Sequence, residues 1–229
     1  MDNKVHVIGD VVGSLELSHK TGNEQFYSFF ISIKRSSGVE DTLNVIVSER
    51  SLFGVQLNSG DTVEITGQYR SFNKFDGDGK RKVQLFIFVK SMEVVPTGTE
   101  HVNEVELIGN IAKCYRCRHT KTQRHVIDFI FKVSRDYNRY DYLTCIAWGR
   151  NAMFIEKLCG QFGKSEEQME VKGRLQSRNF ITKDEDGNDI TKVMYELSTS
   201  SIEIIGDAPE LERGLDRTDV EDEISPELK

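Results

Sequence analysis

Tryptophan occurs once in the 229 residues, proline three times and cysteine four times. No apolar run comes near the roughly 20 residues that a membrane-spanning helix needs. The segment from Met1 to His6 lacks the basic stretch and apolar core of a secretory leader. Cys114, Cys117, Cys145 and Cys159 all fall in the second half, without the spacing of a disulfide framework, which points to a reducing cytoplasm. A Gly-rich phosphate loop, a Gly-x-Ser-x-Gly element and paired histidines at helical spacing are also missing. Secreted, membrane and enzymatic classes are thereby set aside, and no cofactor is expected.

The composition is that of a soluble globular chain, with 38% hydrophobic residues, 29% charged residues and a mean hydropathy of -0.44. Its length suits one large domain or two small ones. The net charge of -7 is unevenly spread. Residues 206–229 hold nine acids and three bases, leaving -1 for everything before them. The acidic pI near 5.4 therefore describes the end of the chain more than its folded part.

The most informative feature is a repeat. Asn3-Lys-Val-His-Val-Ile-Gly-Asp-Val returns as Asn103-Glu-Val-Glu-Leu-Ile-Gly-Asn-Ile, 100 residues later. The same offset pairs the segments beginning at Phe29 and Phe129, and those beginning at Thr42 and Tyr142. It grows to 106 at Gly67 and Gly173, then to 110 at Ser91 and Ser201, as loop insertions produce. Two copies of one domain are expected, over 1–95 and 103–205, joined by a linker at 96–102. An acidic tail follows over 206–229.

Within each copy the pattern is mostly strand. Val5 to Ile8, Phe29 to Ile33 and Leu43 to Val47 are β-branched and aromatic runs, matched by Val105 to Ile108, Phe129 to Val133 and Leu143 to Trp148. Helical character follows from Asn151 to Leu158, with Asn151 as its N-cap. Hairpins then turn at Asp76-Gly-Asp-Gly and Asp184-Glu-Asp-Gly-Asn. Five strands with a short helix between the third and fourth is the order of an OB-fold. The predicted class is mainly β, two tandem OB-folds built as five-stranded Greek-key barrels.

Three stretches of the second copy carry a family resemblance: Asn103-x-Val-x-Leu-Ile-Gly-Asn, Tyr142-x-x-x-Ile-Ala-Trp-Gly-Arg and Gly173-Arg-Leu-Gln-Ser-Arg-Asn-Phe. In order and spacing they resemble the bacterial and phage single-stranded DNA-binding proteins, and the two-copy arrangement is similar to the members with two OB-folds per chain. The resemblance implies sequence-independent binding and protection of single-stranded DNA in replication, recombination or repair. It also implies a homodimer presenting four OB-folds. Phe180 and Tyr137 align with family positions where aromatics stack on bases.

Binding of that kind needs flat apolar faces for bases and cations for phosphates. Alternation puts Tyr142, Thr144, Ile146 and Trp148 on one face of a strand and Leu143, Cys145 and Ala147 on the other. The small apolar set suits a barrel interior, leaving two aromatics outside, about 20 Å apart. Residues 113–139 hold eight bases against Asp128 and Asp136, a local excess of +6 that fits a phosphate-tracking groove. Within that run Arg116, Arg118, Lys132 and Arg135 are candidate contacts. Arg150, Lys172, Arg174 and Arg178 flank the aromatic positions and join them. In the first copy Tyr142 and Trp148 become Thr42 and Ser48. Its ligand face reads as degenerate, with Lys34, Arg35, Arg70, Phe72, Lys74 and Phe75 as weaker contacts.

Cys114-Tyr-Arg-Cys117 with His119 and His125 invites a zinc reading, but a structural site wants four ligands. Cys145 is assigned to the barrel interior and Cys159 to the helix, so no metal is expected. In the family an acidic tail closed by a Pro-Phe tip docks partner enzymes. Here the acids are present, yet the chain given ends Pro-Glu-Leu-Lys, which weakens the expectation of replication or recombination partners held by the tip. Two other readings remain open, an RNA-binding or primosome-type OB protein and an adaptor that uses its barrels for protein contacts alone.

Overall fold

The computed structural model describes residues 2–75, 81–183 and 187–206, and at 74, 75, 81 and 82 the backbone alone. The turn expected at 76–79, the acids Asp184 to Asp186 and the tail from Asp207 lie outside the described residues.

Five strands make the first half: β1 (Asn3–Thr21), β2 (Glu24–Lys34), β3 (Glu40–Ser48), β4 (Thr62–Phe75) and β5 (Arg81–Val95). Their alternating apolar residues give each strand one inward row, as with Phe29, Ile31 and Ile33 on β2 or Leu43, Val45 and Val47 on β3. The pairings β1–β2, β2–β3, β4–β5 and β1–β4 are antiparallel, and a short parallel pairing of β3 with β5 closes the ring. The second half repeats it with β6 (Val102–Cys114), β8 (His125–Arg135), β9 (Arg139–Trp148), β10 (Ser165–Lys183) and β11 (Asp189–Ile204), closed by parallel β9–β11. A two-residue strand β7 (Arg118–His119) pairs with β8 inside the loop after β6. Both rings have OB-fold strand order.

Among the described residues, the expected helix is present only in the second half. There α1 (Gly149–Cys159) follows β9 directly. In the first half, residues 49–55 make successive turns instead, such as Ser51 N to Ser48 O and Leu52 N to Glu49 O. The connection from β3 to β4 spans residues 49–61, shorter than the 149–164 between β9 and β10, and a short segment is less able to offset the cost of nucleating a helix. Asn151 is not the N-cap, a position held by the extended residue Trp148. Asn151 donates instead to Ser200 O at 3.0 Å, tying α1 to β11.

The two barrels share one sheet because β1 pairs antiparallel with β6. The register is symmetric under the repeat: Val5 faces Val105, and Asn3 and Val7 face Leu107 and Asn103. A pseudo-twofold axis therefore runs between Val5 and Val105. Other contacts obey it. Asn3 exchanges two hydrogen bonds with the Tyr69 backbone, and Asn103 does the same with Leu175. Asp41 accepts from Ser177 N at 2.8 Å, and Asp141 accepts from Ser71 N at 2.7 Å. The apolar interiors of both barrels form one continuous cluster.

Candidate nucleic-acid interface

On β9 the alternation works as sequence predicts for the interior, with Leu143, Cys145 and Ala147 all buried. The outer row is less uniform. Tyr142 is 43% exposed, whereas Ile146 is only 3% exposed; its cross-strand partner Asp128 is ion-paired with Arg118. The row thus opens at two ends. At one end the half-buried Trp148 has the Arg124 guanidinium 5.5 Å from its ring centroid. At the other, Tyr142 lies opposite Lys132, whose ammonium is 4.1 Å from the centroid of Tyr140. Cations over aromatic faces at open strand ends suit a ligand that is anionic along its backbone and flat at its bases.

Tyr140 and Arg124 are additions to the sequence-derived set. Period-two alternation from Tyr142 would have found Tyr140, which is also 43% exposed. Nothing in the sequence pairs Arg124 with a residue 24 positions away. Tyr137 sits at the tip of the β8–β9 turn, 94% exposed, where it and Asn138 both take the left-handed conformation. Phe180 lies half-buried on the β10 arm opposite Lys192.

The hairpins cross between barrels. Tyr142 N donates to Ser71 Oγ at 3.0 Å, and Thr42 N donates to Ser177 Oγ at 3.0 Å. The β4 arm of the first barrel thus runs beside the Tyr142 end of the second, bringing Phe72, 58% exposed, into that neighbourhood. Arg70 on this arm feels the charges of Arg135, Asp141 and Asp136, and its pKa is lowered chiefly by burial. Reciprocally, Arg178 and Phe180 follow Ser177, which touches β3 of the first barrel. Residues assigned by sequence to separate barrels meet at two seams.

The candidate cations divide by setting. Arg116, Arg150, Arg174 and Arg178 are exposed. Arg174 shares a row with Ser198 and Ile146 on the outer face. Arg178 also reaches the buried Glu196 at 3.5 Å. Arg35 and Arg135 are turned to structural partners, Asp41 at 2.6 Å and Asp141 at 3.2 Å. Lys172 is bound to Glu170 at 2.7 Å with Glu106 and Glu203 nearby, so its charge is met by acids. Lys34 is exposed at the end of β2, and the side chains of Lys74 and Phe75 lie outside the described residues.

The first barrel's outer face lacks aromatics on β3 but carries Phe26 and Phe30 on β2 and Phe88 on β5. Phe26 stacks with His19 at 4.8 Å and approaches Phe88 at 6.1 Å, and the Arg70 guanidinium is 4.2 Å from the Phe88 centroid. Comparison at β3 alone missed this set, because its counterparts in the second barrel (Val126, Ile130, Ser198) are not aromatic.

Cys145 is interior and Cys159 lies on α1, both as expected. Cys159 also lies beside Cys114, and with Cys117 both line a single cavity against α1. Cys117 and Cys114 do not share a strand, since β6 ends at Cys114.

Residues 102–204 match the sequence profile of the single-strand binding protein family. Over 101 residues, 42% of this chain and 75% of the relative, the chain is 27% identical to Single-stranded DNA-binding protein 1 of Streptococcus pyogenes. Its fold is similar to that of the single-stranded DNA binding protein from Thermus aquaticus, with a TM-score of 0.66 and 20% identity over 90% of this chain and 94% of that one. A variant of the same Thermus protein gives a TM-score of 0.66 at 18% identity, covering 92% and 98% of the two chains. No described helix is long and apolar enough to cross a membrane. In strand order and profile match, the barrel spanning residues 102–204 is similar to the single-strand binding protein family.

Proposed function

We propose that this chain coats and protects single-stranded DNA without sequence preference, as a non-catalytic cytoplasmic protein of replication, recombination or repair. The observation that carries the reading is the outer face of β9, where Trp148 and Tyr142 stand at open strand ends with Arg124 and Lys132 beside aromatic rings. Bases stack on Trp148, Tyr142, Tyr140 and Phe72. Phosphates are neutralised by Arg116, Arg124, Lys132, Arg150, Arg174 and Arg178. The second barrel, 103–205, is the main binding unit. The first barrel, 1–95, binds more weakly through Phe26, Phe30, Phe88 and Arg70. Two chains together present four OB-folds. The acidic tail competes with DNA for the cationic face and offers a contact for replication partners.

Because Trp148 is the only tryptophan, intrinsic fluorescence titrated with oligo-dT reads the site directly. The expected result is strong quenching whose apparent affinity falls as salt rises. Replacement of Tyr142 by alanine is expected to weaken binding by about 1–3 kcal/mol, the usual loss for one stacked base. Binding detected by another method with the Trp148 signal unchanged would move the site to the first barrel. No binding to oligo-dT, duplex or RNA would leave an adaptor role.

A further inference from the structure

The loop after β6 and helix α1 meet around a group of side chains that DNA binding does not use. Cys117 leaves the loop, His125 opens β8, and Glu156 and Cys159 lie one turn apart on α1. The ligand atoms of Cys117, His125 and Glu156 all lie within 4.8 Å of one another. Cys117 Sγ is 3.8 Å from His125 Nδ1. Zn–S and Zn–N bonds of about 2.3 and 2.05 Å at a tetrahedral angle put those two atoms about 3.5 Å apart. A shift of a few tenths of an ångström therefore suffices.

Cys114 and Cys159 share a hydrogen bond. With Cys117 and Glu156 they line a cavity of about 210 Å³ beside the three side chains. The hydrogen bond from Cys114 N to Gly163 O, at 2.6 Å, fixes the end of α1 against β6, so the donors sit on elements already joined. The first barrel has none of these donors: at an offset of 100 it carries Ser14, Leu17 and Gln25, and its described residues include no helix.

We propose that Cys117, His125 and Glu156 bind a zinc ion. Thiolate and imidazole donors select zinc over magnesium or calcium, which prefer all-oxygen sites. Two anionic donors and one neutral imidazole leave the fourth position of a tetrahedral site to water. A coordinated thiol loses its proton to a bound dication. The ion would join loop 115–124, which carries Arg116, Arg118, Lys121 and Arg124, to α1. This effect on the loop rests on the DNA-binding proposal, whereas metal uptake does not.

The test uses the full chain, reduced and stripped with a chelator, then titrated with Co(II) alone. The expected result is one equivalent bound, with tetrahedral d–d bands and a thiolate-to-cobalt charge-transfer band, both erased by added Zn(II). Cys117→Ser and His125→Gln are expected to lower affinity at least tenfold, and His6→Gln to leave it unchanged. Glu156→Gln provides a second route, since Glu156 is exposed on α1 and its replacement spares the core. No charge-transfer band, or one unaltered in all three ligand variants, overturns the site. Oligo-dT titration of stripped and zinc-loaded protein then reads the loop separately. Tighter binding when loaded supports the role in DNA contact; equal binding of a metal that is taken up overturns that role alone.

Discussion

Asp141 is fully buried at the seam between barrels, where Oδ1 accepts from Ser71 and Arg135 while Oδ2 has no partner. Burial raises its pKa above the usual carboxylate value, against the pull of Ser71 and Arg135. The folded state therefore holds this proton more tightly than the unfolded chain. Its stabilising effect is complete below the unfolded pKa of about 3.9 and is lost as pH rises through the higher folded value. Asp141→Asn keeps an acceptor for Ser71 N but has no charge to bury. Its stability relative to the parent is expected to improve as pH rises from about 3.5 toward neutrality. Urea midpoints at a series of pH values check this, and parallel curves for the two proteins would count against it.

At the scale of the elements, the matched glycines of the repeat have a common cause. A β-carbon at Gly109 would lie 2.1 Å from Lys132 O, and one at Gly173 would lie 2.1 Å from Ser198 O. The first-barrel counterparts Gly9 and Gly67 are nearly as tight, at 2.7 and 2.3 Å from backbone oxygens. Gly67 and Gly173 both follow a register shift in the β4–β5 or β10–β11 ladder, where the strand bends to close its barrel. Because the obstructing atoms are backbone, the neighbour cannot turn aside. Gly173→Ala is expected to cost about 1–3 kcal/mol, as overpacking does, read as a lowered urea midpoint with unchanged slope. A midpoint equal to the parent's would mean that the ladder can shift to admit a methyl group.

For the whole molecule, the pairing of β1 with β6, the crossed hairpins and the continuous core argue against independent domains. Separating the barrels would open a ladder of six residue pairs, from Asn3↔Leu107 to Ile8↔Val102, and strip water-excluding contacts from both cores. Unfolding is therefore expected as one cooperative transition. Trp148 reports only the second barrel, whereas far-UV circular dichroism reports both. Coincident urea curves from the two signals are the expected outcome, and a second, displaced step in the circular dichroism alone would contradict it.

The sequence by itself determined the strands, the repeat and the inward rows. Period-two alternation and fixed offsets are local properties that a one-dimensional reading retains, as with Leu143, Cys145 and Ala147 or Gly67 and Gly173. It also gave Trp148 and Tyr142, because a strand's two faces follow from position alone. Only the tertiary structure decided what lies beside them. Crossed hairpins place Phe72 and Arg70 at the seam with the second barrel, and loop closure brings Arg124 to Trp148. The same folding of a loop against α1 brought Glu156 to Cys117 and His125, a partner that no sequence spacing indicated. Such contacts join residues distant along the chain, and their partners are fixed by barrel closure and by the pseudo-twofold axis, which no local pattern encodes.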